Sequence, residues 1–447
     1  MRQKRRLQGT AVVCAICVIA FLAWWLSGRQ PIRGRDLPRI CAGDGHAAAL
    51  FADGRMWCWG RNEFGQSGSG PPRKDWLNPL IKTPKGTNWT QIATGDNHTL
   101  ALQADGSLWA WGRNDFGQLG IGIFDPRSAS AMPTIRPVPI RVGFDTNWMA
   151  ISGGCGFSIG LKRDGSLWAW GGDWVGQLGV EPGQTMRPLF DDYNGAPLAF
   201  KTNRPMRIGL SSDWKAVSAG AEHVLALKSD GSLWAWGRND CGQLGDGTTV
   251  HRSAPVRIGP ETIWRSISAG GGSTGGHSVA IKNDGSLWAW GVFMPPTNGQ
   301  FKANAPNAIR PTCIGADHDW RQAIAGDGFT MAIKIDGSLW ILGFDYVGVG
   351  GVPNACDVRP MRVGPKTDWI LAAVEGVGYF GDRSQYYAYG LESDGTLWIW
   401  GLNLRRPVNK YVAKMHGWLA RGGIKVRWGD TGIASPAHFM DLASPSQ

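Results

Sequence analysis

Four histidines, His46, His98, His223 and His277, recur at one position of a repeating pattern, after the glycine that ends a short apolar run. Imidazoles converging on a central channel would make a metal site. Two other copies hold Phe157 and Phe329 at that position. A ligand set does not tolerate phenylalanine twice, so the histidines read as structural hydrogen-bonding residues. Outside the N-terminal apolar stretch the cysteines are Cys41, Cys58, Cys155, Cys241, Cys313 and Cys356, at spacings that match no metal motif. The paired acids Asp191 and Asp192 lie among turn residues in an insertion and read as solvated loop. There is no phosphate-binding loop, no Gly-x-Ser-x-Gly elbow, no His-Glu-x-x-His and, beyond the N-terminal stretch, no Cys-x-x-Cys. The expectation is no catalytic residue, no cofactor and no bound metal.

The elements that carry these residues are copies of one unit. Asp-Gly followed by Leu-Trp-x-Trp-Gly, or a close variant, begins at Asp53, Asp105, Asp164, Asp230, Asp284, Asp336 and Asp394, 52 to 66 residues apart. A repeat of this period means a stacked or circular architecture. Of the 25 tryptophans, 13 occupy the Trp-x-Trp slots, and Trp89, Trp148, Trp214, Trp264, Trp320 and Trp369 open the preceding segment. Most tryptophan is therefore structural by position, and the aspartates of Asp-Gly are turn residues.

The copy from Trp214 to Gly259 shows the local rules. Trp214 to Gly220 and His223 to Ser229 alternate as strands A and B. Asp230-Gly231 suits a two-residue hairpin with positive φ. Ser232 to Gly237 is strand C, Arg238 to Gly247 a glycine-rich loop, and Ala254 to Gly259 strand D, whose Pro255 favours an outer edge. Four antiparallel strands in some 50 residues make one propeller blade. Trp234 and Trp236 share one face of strand C while Ala235 takes the other, so a bulky face meets a small face between blades. The fold class is all-β, a seven-bladed β-propeller of four-stranded antiparallel blades. Cys41 and Cys58 fall in small-residue columns, read as buried positions on neighbouring strands; the alternatives are a free buried pair and a Cys41–Cys58 disulfide.

The segments GRNDFGQLG (112–120) and GRNDCGQLG (237–245), each after Leu-Trp-Ala-Trp, resemble the regulator of chromosome condensation repeat family. So do GDGHAAAL from Gly43, GDNHTLAL from Gly95 and GAEHVLAL from Gly220. The resemblance covers about residues 37–415 and implies a seven-bladed propeller. It also implies two functional precedents: eukaryotic members act as guanine-nucleotide exchange factors on small GTPases, and some secreted bacterial members inhibit β-lactamases. The match fades along the chain. Gln66, Gln118, Gln177 and Gln243 hold the Gly-Gln position in four repeats, whereas the later ones run into 291–300, 343–351 and 401–407.

The N-terminus is of another kind. Residues 1–9 are basic, and residues 10–26 carry no charge and no proline. Seventeen residues is short for a membrane-spanning helix and long for a signal-peptide core. Trp24 and Trp25 suit an interfacial belt, and the denser positive cluster precedes the stretch. The expectation is one N-terminal transmembrane helix, a signal anchor at 10–26, with a cytoplasmic N-terminus (1–9), a linker (27–36), the propeller (37–415) outside the cytoplasm, and a closure or cap segment with tail (416–447). Net charge is +11 overall and +7 within residues 1–39, so only +4 remains for the rest. No basic patch marks the repeats, and no nucleic-acid partner is expected.

Departures from the repeat fall mostly in the A–B and C–D loops, which share one face: 121–136, 180–204, 270–276 and 375–387. Insertions on one face of a rigid ring mark a binding face. The candidate residues are Phe190, Asp191, Asp192, Tyr193, Phe200 and Arg204 in one segment, and Tyr379, Phe380, Arg383, Tyr386 and Tyr387 in the other. Aromatic residues with arginine make interface hot spots. The functional expectation is a membrane-anchored, non-enzymatic scaffold for an unidentified protein or extracellular polymer. The alternatives are an exchange-factor-like regulator of a small GTPase and an inhibitor propeller.

Overall fold

The computed structural model describes residues 39–68, 70–71, 73–82, 88–123, 134–180, 200–271, 276–292, 308–344, 356–374, 387–401 and 426–428. These form seven four-stranded sheets, each with its strands A to D in chain order. Blade four comprises Trp214–Ala219, His223–Lys228, Leu233–Gly237 and Arg252–Arg257, antiparallel throughout. Neighbouring A strands touch one another around a closed circle, that of blade seven (Trp369–Val374) meeting that of blade one (Arg39–Ala42). The ring closes without exchanging a strand between the chain ends. Blade seven differs at its rim: Val426–Trp428 from the tail runs parallel to strand C, Leu397–Gly401.

The Asp-Gly-Ser-Leu-Trp motif is a chain of hydrogen bonds. Asp230 Oδ1 accepts the Ser232 amide (2.9 Å) and hydroxyl (2.6 Å), and the Ser232 oxygen accepts Trp234 Nε1–H (3.0 Å). Gly231 sits at φ +83°, where an L side chain would be strained. The same links recur at Asp164, Asp284 and Asp336.

Tryptophan makes the joints between blades. Trp214 stands edge-on to Trp234 (5.8 Å) and tilted to Trp236 (6.2 Å). Trp236 is fully buried among Phe157, Ile159 and Leu161 of the preceding blade. Ala235 packs the other way, with Trp264, Ala280 and Trp290 of the next. Burying an indole of this size stabilises by about 4–6 kcal/mol in transfer free energy.

At the Asp-Gly end, four lysines end strand B: Lys162, Lys228, Lys282 and Lys334. Each lies over two indoles and pairs with an acid of the D–A link. Lys282 Nζ is 3.5 Å from the Trp288 centroid, 4.8 Å from that of Trp264 and 2.8 Å from Glu261. Blade seven reverses the charges: Glu392 ends strand B, and Lys366 of the link pairs with it while lying over Trp398.

Cys41 and Cys58 are free and do not lie on neighbouring strands. Both are in register with Ala48 of the strand between them, Cys41 on strand A and Cys58 on strand C. Two strand spacings separate their Cα atoms by about 10 Å, beyond disulfide reach. Burial pushes the Cys41 thiol up to about 12 and raises that of Cys58 as well. The apolar stretch 10–26 lies outside the described residues; among the described residues no helix is long and apolar enough to cross a membrane.

Candidate functional site

The histidine column settles into the joints. His98 Nε2 lies 2.8 Å from Ser158 Oγ of the next blade, and that hydroxyl donates to Gln118 O (2.8 Å). With its proton committed, the serine oxygen accepts, so Nε2 carries the hydrogen of a neutral ring. His223 pairs with Ser278 (2.9 Å), His277 with Thr330 (2.9 Å) and His46 with Thr99 (3.2 Å). Burial pushes His98, His223 and His277 down to about 3 and His46 down to about 4. Where the column holds phenylalanine, the partner is apolar: Phe157 packs in one cluster with Val224, and Phe329 in one with Ala388. Imidazole and hydroxyl are present together or replaced together, as a structural joint requires.

The Gly-Gln position has a related task. Gln118 O also accepts Trp170 Nε1–H (2.9 Å), while its side-chain Oε1 accepts the Phe116 amide (2.9 Å). Asn114 Oδ1 caps Leu119 N (3.0 Å). The recurring Arg-Asn-Asp-x-Gly-Gln-Leu-Gly loop is thus a self-capped plug for the joint with the next blade.

The chemistry left over collects at the opposite end from the Asp-Gly turns, on the A–B loops around the channel mouth. These loops join hand to hand. Asp44 N donates to Asp96 O (3.3 Å), Asp96 N to Gly154 O (3.3 Å) and Cys155 N to Ala221 O (2.9 Å). A Cβ on Gly43 would stand 2.2 Å from Gly95 O, so the first loop position has no room for a side chain. The second position varies: Asp44, Asp96, Cys155, Ala221, Gly271 and Asp327. Asp96 and Asp327 are buried. Burial, then the neighbouring Asp44 charge, pushes Asp96 up to about 8; burial also raises Asp44, against the pull of Arg61. The Cys155 thiol donates to Asp96 Oδ2 (3.6 Å), and burial raises it well above the ordinary thiol range. Arg61 bridges Asp44 (3.2 Å) and Glu63 (3.3 Å), and Arg238 bridges Glu222 (2.8 Å) and Asp240 (2.7 Å).

Between blades two and three this rim holds a pocket of about 190 Å³, lined by Asp96, Asn97, Phe116, Cys155, Trp174 and Glu222 with Arg113, Gln118 and Gly156. Phe116 and Trp174 meet edge to face at 4.8 Å. Blade three has Gly172 where its neighbours have Arg113 and Arg238, and Trp174 where they have Asp115 and Asp240. Blade three, which supplies Trp174 to the pocket, thus lacks the arginine–acid bridge of the two blades beside it. Among the described residues no group of three or more His, Cys, Asp or Glu could hold a metal. The raised thiols are poor nucleophiles, and the buried neutral histidines reach no open surface. The arrangement is suited to recognition.

Of the residues expected at the binding face, Phe190, Asp191, Asp192 and Tyr193, and Tyr379, Phe380, Arg383 and Tyr386, lie outside the described residues. Phe200 and Tyr387 are not loop residues: they open strand D of blade three (Phe200–Arg207) and strand B of blade seven (Tyr387–Glu392). Arg204 belongs to the same strand D. It is exposed and adjoins Gly122 of blade two, whose amide donates to Asn203 O (2.8 Å). Repeat periodicity does not single out the mouth residues; the one signal the sequence holds for them is a variable second position between a fixed glycine and a fixed histidine or phenylalanine.

Known proteins share this architecture. The chain is 29% identical over 273 residues to the ultraviolet-B receptor UVR8 of Arabidopsis thaliana, covering 61% of this chain and 56% of the receptor. It is 31% identical over 230 residues to the E3 ubiquitin-protein ligase HERC2 of Homo sapiens, covering 51% of this chain and 4% of the ligase. It therefore spans about half the length of the plant receptor and a small fraction of the ligase. The crystal structure of Prp20p from Saccharomyces cerevisiae superposes with a TM-score of 0.61 at 22% identity, over 84% of this chain and 85% of that one. Seven circular repeats, the tryptophan joints and the plug loops agree with a match of residues 27–380 to the RCC1-like domain, and the chain belongs to the RCC1-like domain family.

Proposed function

We propose that the chain is a non-enzymatic scaffold that binds a partner protein through the face formed by its A–B and C–D loops. One observation carries this reading. The repeated histidines, glutamines and tryptophans are consumed in joints between blades, whereas the acids of the A–B loops, the aromatic pocket and the ends of the long connections gather at one rim. The connections 181–199 and 375–386, with Phe190, Asp191, Asp192, Tyr193, Tyr379, Phe380, Arg383 and Tyr386, would extend that rim. Prp20p has been described with its binding properties to Gsp1p and histones, a precedent for protein partners on this architecture. That precedent also favours a second reading, an exchange-factor-like regulator of a small GTPase, which requires the repeats to face the cytosol. The uncharged 10–26 stretch behind a basic N-terminus supports the opposite topology, with the propeller anchored to a membrane and displayed outside.

Two measurements test the proposal. Protease accessibility of a C-terminal tag in intact cells decides between the topologies, and a protected tag would favour the exchange-factor reading. Affinity capture then compares the wild type with a chain whose 181–199 and 375–386 are replaced by Gly-Ser. The replacement stops short of buried Val180 and of strand residues Phe200 and Tyr387. Partners recovered equally by both chains would remove these connections from the binding face.

A further inference from the structure

Positive charge is concentrated on the outermost strands. These are Arg73–Lys82, Ile135–Arg141, Phe200–Arg207, Arg252–Arg257, Ala308–Cys313, Cys356–Arg362 and Val426–Trp428, one per blade. They carry 14 lysines and arginines against two acids, Asp75 and Asp357, a balance of +12. Residues 40–447 total only +4, so the rest of them sum to −8. Chain order conceals this, because each blade supplies only one to three of the cations. Repeats without a basic run thus build a basic belt once the blades stand in a ring. Six of the cations share one register position, opposite the first tryptophan of strand C: Lys82, Arg141, Arg207, Arg257, Arg362 and Arg427. Blade five has Cys313 there and carries Arg310 instead.

Two structural duties fall short of explaining the belt. An outer strand must be kept from pairing with other chains, and charge and proline both do that. Proline stands in six of the seven strands. Acids would protect an edge as well as bases do, yet there are two acids to 14 bases. The second duty is bracing. Arg141, Arg207, Arg257 and Arg362 each donate to the carbonyl three residues on, in the D–A link (3.3, 3.0, 2.9 and 3.0 Å). A carbonyl leaves the guanidinium charge uncompensated. The turn aspartates Asp105, Asp164, Asp230 and Asp336 feel these arginines, but the serine bonds of the turn come first in holding their carboxyls below the usual range. Towards the mouth, Arg204 and Arg310 lie against glycines of the preceding blade's C–D loop, Gly122 and Gly247. All six arginines are exposed, and among the described residues none is in a salt bridge, whereas Arg252 is spent on Asp246 (2.7 Å).

We infer that the outer strands form a basic belt that binds a flexible polyanion, an acidic polysaccharide whose carboxylates follow the rim. Charges pointing outward around a ring cannot converge on one small ligand. A nucleic-acid duplex, with a persistence length of about 50 nm, is too stiff to follow the rim and would touch only an arc. Single-stranded nucleic acid calls for aromatic platforms. Of the exposed large hydrophobics among the described residues, only Val138 and Ile309 lie on outer strands, and neither is aromatic. The prolines exclude a peptide added as a further strand. The belt is a surface separate from the loop face proposed for a partner protein and does not depend on it.

The test titrates the full chain into fluorescently labelled polygalacturonate across a salt series. Binding should be saturable, with log K falling against log salt at a slope of about −3.5, as about five neutralised charges on a flexible polyanion give. Combining Arg141→Gln, Arg204→Gln, Arg207→Gln, Arg257→Gln, Arg310→Gln and Arg362→Gln should weaken binding about tenfold or more, and the same six changed to Lys less than about threefold. Equal binding of the methyl-esterified polymer overturns the assignment on wild-type protein alone, whether or not a variant folds. Full binding by the Gln variant overturns the belt, as does a Lys variant as weak as the Gln variant. So does loss of binding on Arg2→Gln, Lys4→Gln, Arg5→Gln and Arg6→Gln, which would move the polymer to the basic N-terminus. Binding about tenfold tighter to a DNA duplex or to polyphosphate of equal charge overturns the choice of a carboxylate polymer. The chain with 181–199 and 375–386 replaced should bind the polymer as the wild type does. If it does not, the belt is overturned; if it loses only its protein partners, the loop face is supported and the belt stands.

Discussion

The covariation of histidine with hydroxyl predicts that a blade joint can be converted from one type to the other. His98→Phe alone should cost about 1–3 kcal/mol, because the Ser158 oxygen loses its donor inside the joint. Adding Ser158→Ala removes the stranded group and reproduces the Phe157–Val224 type of joint. Gln118 O still keeps Trp170 Nε1–H at 2.9 Å. The double variant should therefore regain at least half of the loss at neutral pH. Its distinguishing property is acid tolerance. Folded His98 titrates near 3, pushed down by burial and then by the His46 charge, while an unfolded histidine titrates near 6.5. Between those values the unfolded chain holds a proton that the folded chain refuses, so this stability is complete above 6.5 and is lost as pH falls toward 3. At pH 5 the loss is RT ln(1 + 10^1.5), about 2 kcal/mol for one histidine. Buried acids with raised values, Asp96 foremost, act in the opposite sense, but they cancel between wild type and variant. Urea unfolding followed by tryptophan fluorescence at pH 7 and pH 5 should then show the double variant losing about 2 kcal/mol less than the wild type across the interval. An unchanged pH 7-to-5 loss would refute the neutral buried histidine. A double variant no more stable than His98→Phe would refute the coupled joint.

Further outcomes are expected at other places. Asp96 ionises near 8 when folded and near 3.8 when unfolded, so its contribution is complete below 3.8 and is lost as pH rises toward 8. Relative to wild type, Asp96→Asn should gain about 1 kcal/mol per pH unit between pH 5 and 8 and level off above, measured by urea unfolding. Lys282→Glu should destabilise by about 3 kcal/mol, since it sets a buried acid against Glu261. Adding Glu261→Lys should recover more than half of that in thermal melts, because blade seven already carries this reversal in Glu392 and Lys366. Gly231→Ala should cost about 1–3 kcal/mol in urea unfolding, since φ is +83° and the new Cβ would lie 2.4 Å from Thr262 O.

What the sequence made legible follows from what the ring repeats. Trp234, Ala235 and Trp236 could be assigned to faces from alternation alone, and the joints with blades three and five bear that out. The histidines were recognisable as structural because Phe157 and Phe329 share their column. Their Ser and Thr partners lie one residue past the same column in the next repeat, so the pairing is encoded in the repeat but shows only once the blades are laid side by side. Two features could not follow from periodicity. The small-residue columns gave the burial of Cys58, whereas Cys41 is half-buried, and only the A-B-C strand order places Ala48 between them. The fourth strand of blade seven comes from 426–428, in a tail that carries no trace of the repeat. The mouth pocket was hidden for a different reason. It arises where a repeat omits its usual residues: Gly172 stands in for an arginine and Trp174 for an acid, and neither substitution disturbs the tryptophan strand that defines the blade. The loop arginine stands only at Arg61, Arg113 and Arg238 and is replaced by Gly172, Val292, Phe344 and Leu402 in the other four copies, so closing the ring does not depend on it. Beside the position so released, Trp174 meets Phe116 edge to face and Arg113 lies over the Phe116 ring, contacts that belong to this blade pair and that no repeat pattern encodes.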